Sequence, residues 1–302
     1  MRVEDSSGSN QLEIFMQKLC PNNPEPVGEA GRPAKSIVFA VLVFSMVFTT
    51  SCGGKSKSDI VVAGSTSVQP YAEVLSEEYA LLYPERMVDV QGGGSSAGIS
   101  AAESGAADIG MSSRNLTDEE RQALWSVEIA KDGLSIIINP QNPIQDLSLA
   151  QICDIYTMKT NDWAELGGHK AKIHVITRED GSGTRSAFES LVMGKEQITP
   201  KAIVQDSNGA VRQLVSDDPN SIGFISLGLI DETVKALTLD NVAPTTENVI
   251  NGSYGLFRPF LFIAKNEPTG LSKQFIDYTL SSEGQKILMH EGLIPNIEGM
   301  EK

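Results

Sequence analysis

Ile60-Val-Val-Ala-Gly-Ser-Thr-Ser-Val-Gln-Pro70 is the stretch from which the rest of the chain can be read. Ile60 to Ala63 is a short, apolar, β-branched run, the signature of a buried strand, and Gly64 ends it. A hydroxyl-rich loop follows. Pro70 suits the first turn of a helix, and Val74, Leu75, Tyr79 and Leu82 then share one face until Pro84 stops it. The same unit recurs. Met87-Val-Asp-Val90 leads into Gly92-Gly-Gly-Ser-Ser-Ala-Gly98 and a short helix that Gly105 terminates. Ile173-His-Val-Ile-Thr177 leads into Arg178-Glu-Asp-Gly-Ser-Gly-Thr184. Ala107–Met111, Leu134–Ile138, Ile222–Ser226 and Pro259–Ile263 read as further strands. Thr117-Asp-Glu-Glu120 and Ser148-Leu-Ala-Gln151 are capping boxes that open helices, and helices around Leu271–Leu280 and Glu283–Glu291 close the chain. This alternation predicts an α/β fold with mainly parallel sheets, whose ligand sits where the loops at the carboxyl ends of the strands converge.

Three of those loops carry the chemistry: Gly64-Ser-Thr-Ser67, Gly92-Gly-Gly-Ser-Ser96 and Arg178–Thr184. Each places hydroxyls and unbonded backbone N–H groups at a helix start, where the partial positive charge favours an anion. Glycine permits close approach of the backbone, and Ser and Thr add donors with little bulk. Arg178 alone adds a fixed cation, whose fork matches two oxygens of an oxyanion, with Asp180 placed to orient it. Any one loop alone reads rather as a Ser-capped turn; three together, one with Arg, reverse that and point to anion binding.

Bulk properties narrow the classes. The 302 residues, 40% hydrophobic and 21% charged, describe a globular chain of one large domain or two lobes. A formal net charge of -15 counts against nucleic acid, which needs a basic face, but not against one small anion, whose potential is set locally. Three cysteines are too few for a disulfide framework or a four-ligand zinc site, and Cys153 reads as a small core residue. No cofactor or metal is expected. Gly94-Ser-Ser-Ala-Gly98 matches a nucleophile elbow centred on Ser96, but a triad needs a histidine, and only His290 stands in the usual chain order. The phosphate-loop motif of nucleotide hydrolases is absent.

Ser36 to Phe48 is an apolar run flanked by Arg32 and Lys35 and closing on Thr49-Thr-Ser-Cys52. It reads as a secretory signal, short of the roughly 20 apolar residues that span a bilayer. Cys52 after small residues resembles the bacterial lipobox, although Thr49 stands where that pattern usually has Leu or Val. Lipidation at Cys52 is therefore expected, with Gly53–Ser58 as a flexible tether. Met1 to Ala34 make a long polar leader, as a misassigned start codon would.

Gly64-Ser-Thr-Ser-Val-Gln-Pro70, Gly92–Gly98, Ala107-Asp-Ile-Gly-Met-Ser-Ser-Arg114, Arg178–Arg185 and Ile222-Gly-Phe-Ile-Ser-Leu-Gly228, in that order, resemble the signatures of the phosphate-binding receptors of phosphate ABC transporters. The resemblance runs from about Asp59 to Asn296. It implies a type II periplasmic-binding-protein fold: two α/β lobes joined by crossover strands, closing on the ligand in the interlobe cleft. Residues 1–58 would be leader, signal and tether, 59–137 plus 255–302 the first lobe, and 138–254 the second, with hinges near Ile138 and Gly255. It implies phosphate contacts from Thr66, Ser67, Ser95, Ser113, Arg178, Ser182, Gly183 and Thr184, with Asp180 orienting Arg178. Well-known members carry an Asp where Ser113 stands, and that acceptor rejects sulfate; the next residue, Arg114, is either a second cation or the partner of a surface acid. A monomeric, non-enzymatic, extracytoplasmic receptor working with a membrane permease and its ATPase is implied. The alternatives are a receptor for sulfate, molybdate or tungstate, or a serine hydrolase or phosphoesterase built on Ser96.

Overall fold

The computed structural model describes residues 59–296, so the expected signal, tether and lipidation at Cys52 lie outside the described residues. Strand β1 (Ile60–Gly64) leads into helix α1 (Gln69–Leu82), with Pro70 in its first turn. The helix buries Tyr71, Ala72, Leu75 and Tyr79, while Leu82, expected on the same face, is its last residue and is exposed. β2 (Val88–Gly92) leads into α2 (Ser95–Ser104), which ends at a left-handed Gly105, and β3 (Ile109–Ser112) follows. β1 lies between β2 and β3, parallel to both. Helix α2 packs so closely on β1 that a Cβ at Gly98 would lie 2.6 Å from both Ala63 O and Gly64 Cα. That contact fixes the start of α2 against the loop after β1.

Helix α3 (Asp118–Ala123) opens on the expected capping box of Thr117 and Glu120. The next strand, β4 (Trp125–Ile138), is 14 residues long, and only its second half was legible as a strand. Glu128, Lys131 and Asp132 interrupt the apolar pattern of its first half. After a short β5 (Asp146–Leu147), α4 (Leu149–Tyr156) opens on the Ser148–Gln151 box. β6 (His174–Arg178) then leads into α5 (Gly183–Phe188). β7 (Ile203–Gln205), α6 (Asn208–Asp217) and β8 (Ser221–Ser226) complete a second trio in which β6 is parallel to both β7 and β8. Two short strands, β9 (Lys235–Ala236) and β10 (Thr238–Leu239), and helix α7 (Thr246–Ile250) precede the return strand β11 (Phe257–Ala264). Helices α8 (Gly270–Leu280) and α9 (Ser282–His290) and the short β12 (Ile294–Pro295) follow.

The two parallel trios are joined through antiparallel strands, so the sheet is mixed rather than mainly parallel. From Trp125 to Gly133, β4 pairs antiparallel with β11; from Leu134 to Ile138 it pairs antiparallel with β8. The change of partner falls between Gly133 and Leu134. Ile138, expected near the hinge, ends β4 opposite Ile222. The carbonyl of Leu256, just before β11, accepts from Leu134 N at 2.8 Å.

Each lobe has its own core. Val62, Leu75, Tyr79, Phe260, Phe262 and Phe275 pack in the first. Ile136, Tyr156, Trp163, Phe188 and Phe224 pack in the second, with the Phe188 and Phe224 rings stacked at 4.1 Å between centroids. Each such side chain contributes about 1.5–3 kcal/mol by leaving water. Among the described residues no helix is long and apolar enough to cross a membrane.

Candidate functional site

The starts of four helices meet between the lobes: α1 and α2 from the first, α5 and α6 from the second. The Ser67 hydroxyl, just before α1, is where the starts of α5 and α6 converge. It lies 2.7 Å from Thr184 Oγ1 and accepts from Asn208 Nδ2 at 2.9 Å and from Arg258 Nη2 at 3.2 Å. Ser67, Thr184, Asn208 and Arg258 are all buried. Thr66 Oγ1 accepts from Arg178 Nη2 at 3.0 Å, a bond that joins residues 112 apart in sequence.

A second group of hydroxyls lies beside the first. Ser65 Oγ donates to Ser113 Oγ at 2.8 Å, Ser113 N donates to Ser95 Oγ at 3.0 Å, and the Ser95 and Ser113 hydroxyls are 3.3 Å apart. Gly183 begins α5 against this pair. A Cβ there would collide with both the Ser95 and Ser113 hydroxyls, so only glycine lets the two lobes approach at this point. Ser96 N crosses the cleft to Gly181 O at 3.1 Å.

Two arginines flank the hydroxyls. Arg178, at the end of β6 and almost wholly buried, sets Nε and Nη2 against Glu179 Oε2 and Oε1 at 2.8 and 2.9 Å. It also donates to the carbonyls of Gln205 and Asp206. Arg258, on β11, donates from Nε and Nη2 to Asp132 Oδ2 at 3.0 and 2.9 Å, while Ser226 Oγ donates to Asp132 Oδ1 at 2.7 Å. Burial pushes the Asp132 carboxyl above its usual range, and the Arg258 charge and these hydrogen bonds pull it back. Buried hydroxyls, helix starts carrying partial positive charge and two guanidinium groups are together the donors that suit an oxyanion.

The structure therefore brings Thr66, Ser67, Ser95, Ser113, Arg178, Gly183 and Thr184 together. Ser182 stands at the same place but caps α5, its Oγ accepting from Arg185 N at 3.3 Å; the hydroxyl proton is left to donate elsewhere. Asp180 does not orient Arg178. Its side chain is 95% exposed and pairs with Arg185 at 2.6 Å, because the turn at Gly181 points it outward, and Glu179 holds the fork instead. Arg114 sets its fork on Glu120 at 2.8 Å from each nitrogen, holding that carboxyl below its usual range, and so pairs with an acid.

Ser65, Asp132, Asn208 and Arg258 were not anticipated. The signal for two of them was present: a charge within an apolar strand pattern, at Asp132 before Leu134–Ile138 and at Arg258 before Pro259–Ile263, has to be paired or bound. Around Ser96, no histidine forms a hydrogen bond among the described residues; His174 bonds Asp218 and His290 lies beside Glu291. No cluster able to hold a metal ion occurs among the described residues. Cys153 is half-buried, and burial pushes its thiol up, away from the reactive thiolate.

Residues 49–283 match the family described as a PBP superfamily domain. The chain is 31% identical over 282 residues to the phosphate-binding protein PstS of Bacillus subtilis (strain 168), covering 86% of this chain and 94% of that one. It is 45% identical to a substrate-binding protein assigned to a phosphate ABC transporter of Clostridium perfringens, solved with bound phosphate. That match has a TM-score of 0.76 and covers 78% of this chain and 99% of the other. An ABC-type phosphate transport receptor from Vibrio cholerae is 39% identical with a TM-score of 0.67, over 79% of this chain and all of that one.

Proposed function

We propose, from the premise that this chain belongs to the PBP superfamily and within it to the phosphate-binding proteins, that it is a receptor which binds inorganic phosphate and delivers it to an ABC-type phosphate permease. It works outside the cytoplasmic membrane and is not an enzyme. The observation that carries the reading is the convergence of the α5 and α6 starts and the loop before α1 on the Ser67 and Thr184 hydroxyls, with the Arg178 fork beside them on Thr66. In the bound state phosphate oxygens take the place of the cross-cleft partners. Thr66, Ser67, Ser95 and Ser113 donate from the first lobe, and Arg178, Ser182, Gly183 and Thr184 from the second. Hydrogen bonds to a charged partner contribute about 1.5–3 kcal/mol each, so several together support tight capture of a dehydrated anion.

Release requires the lobes to part. The two lobes, close to 59–137 with 255–302 and 138–254, turn about the crossovers at Gly133–Leu134 and Leu256–Phe257, where the strand partners change. The receptor acts as a monomer held to the membrane by a lipid on Cys52. Mass spectrometry of protein from the membrane fraction reads that lipid directly, and Cys52→Ala is expected to release the receptor.

Calorimetry on anion-free protein tests the central claim. Heat with phosphate is expected. Heat only with sulfate, molybdate or tungstate would overturn the ligand and leave the receptor, and no heat with any of them would overturn the receptor.

A further inference from the structure

We infer that Arg258 is a second cation of the phosphate site, with Asp132 as its positioning residue, and that the pair makes the site prefer the doubly charged anion. The inference rests on the phosphate reading and extends it to a residue on the floor of the cleft. Arg258 and Asp132 are direct partners in the β11–β4 register, one residue from the crossover on each strand. Both are buried, and the guanidinium reaches past its carboxylate to the Ser67 hydroxyl at 3.2 Å, the atom on which Thr184 and Asn208 also converge.

One atom remains unaccounted for. Arg258 Nη1 is buried and has no hydrogen-bond partner, whereas every nitrogen of the Arg178 guanidinium has an acceptor. A buried charged donor without an acceptor is costly, and an oxyanion held against this guanidinium would supply one. The groups facing Arg258 are Asp132 on β4, Tyr71 on α1, the Phe260 ring at 5.5 Å on its own strand, and Arg178 from the other lobe. The two guanidinium groups repel each other, and an anion between them offsets that repulsion.

The charge preference follows from the carboxylates. Both Glu179 oxygens accept from Arg178; Asp132 Oδ2 accepts from Arg258 and Oδ1 from Ser226. Among the described residues of this site, each of these carboxylate oxygens thus already accepts a hydrogen bond, and the buried Ser113 adds a hydroxyl rather than an acid. A second negative charge on the ligand strengthens its hydrogen bonds to the guanidinium donors, the unpartnered Arg258 Nη1 among them, while a ligand proton meets only hydroxyls.

The test is calorimetry with phosphate and with sulfate, at pH values below and above the second ionisation of phosphate. It compares the parent with an Asp132→Asn/Arg258→Gln double variant, whose urea midpoint reports folding. The parent is expected to bind phosphate more tightly above that ionisation and to bind sulfate with little pH dependence. The double variant is expected to lose ~30-fold in phosphate affinity above the ionisation and much less below it. A double variant within about threefold of the parent at both pH values overturns the inference alone; a parent that binds no phosphate overturns the receptor reading first. If the double variant does not fold, Arg258→Lys decides. Weakened affinity with the pH dependence kept supports the second cation, and unchanged affinity overturns it.

Discussion

The rim of the cleft and its floor each hold an arginine against a carboxylate, and they do so over very different distances in the chain. At the rim, Arg178 takes its partner from the next residue, Glu179, whose side chain is 28% exposed. On the floor, Arg258 takes its partner from Asp132, 126 residues away and wholly buried. A neighbouring pair is assembled by the local turn, and here its carboxylate, though not its guanidinium, reaches water. A distant buried pair exists only once two strands have met, and neither charge has water to return to if the other is removed. The rim pair therefore aims a ligand contact, and the floor pair ties the ligand site to the crossover strands themselves.

The contrast can be broken by substitution, and the largest effect is expected on the floor. Asp132→Ala strands the Arg258 charge and should lower stability by about 3–5 kcal/mol, read by urea unfolding. An effect below about 1 kcal/mol would show that the floor is as wet as the rim. Arg178→Ala should leave folding largely intact and weaken phosphate binding by roughly 2–5 kcal/mol in calorimetry. A near-neutral result would move the site elsewhere. Gly183→Ala pushes a methyl group into the Ser95 and Ser113 hydroxyls, and the overpacking should weaken binding by about 1–3 kcal/mol. Small-angle scattering of the phosphate-saturated variant should find it more open than the parent. The smallest effects sharpen the rim itself. Glu179→Gln should cost about 1 kcal/mol of affinity and Asp180→Asn less than about 0.5 kcal/mol. The opposite order would return the orienting role to Asp180.

Much of the rim was legible because its determinants are local. Gly, Ser and Thr after a β-branched run and before a helix start can be read within a dozen residues, and Thr66, Ser67, Ser95, Gly183 and Thr184 fall where that pattern puts them. The capping boxes at Thr117 and Ser148 were legible for the same reason. The orienting acid was misread as Asp180 because sequence shows which residues neighbour Arg178, not which way each points. Gly181, at φ 88°, turns the chain so that Asp180 faces outward. The first half of β4 was missed because Glu128, Lys131 and Asp132 look like a loop until their partners on other segments are known.

By itself, the sequence determined the α/β alternation, the helix starts and the anion-binding character of three loops, since each depends on dihedral preferences and donors within one turn of chain. Tertiary structure alone decided that these loops face one another, that the sheet is continuous through β4, and that Arg258 and Asp132 stand beneath Ser67. The reason is physical. Strand register joins residues by hydrogen bonds that carry no sequence-local signal, and a buried charge becomes tolerable only through a partner that the folded sheet brings to it.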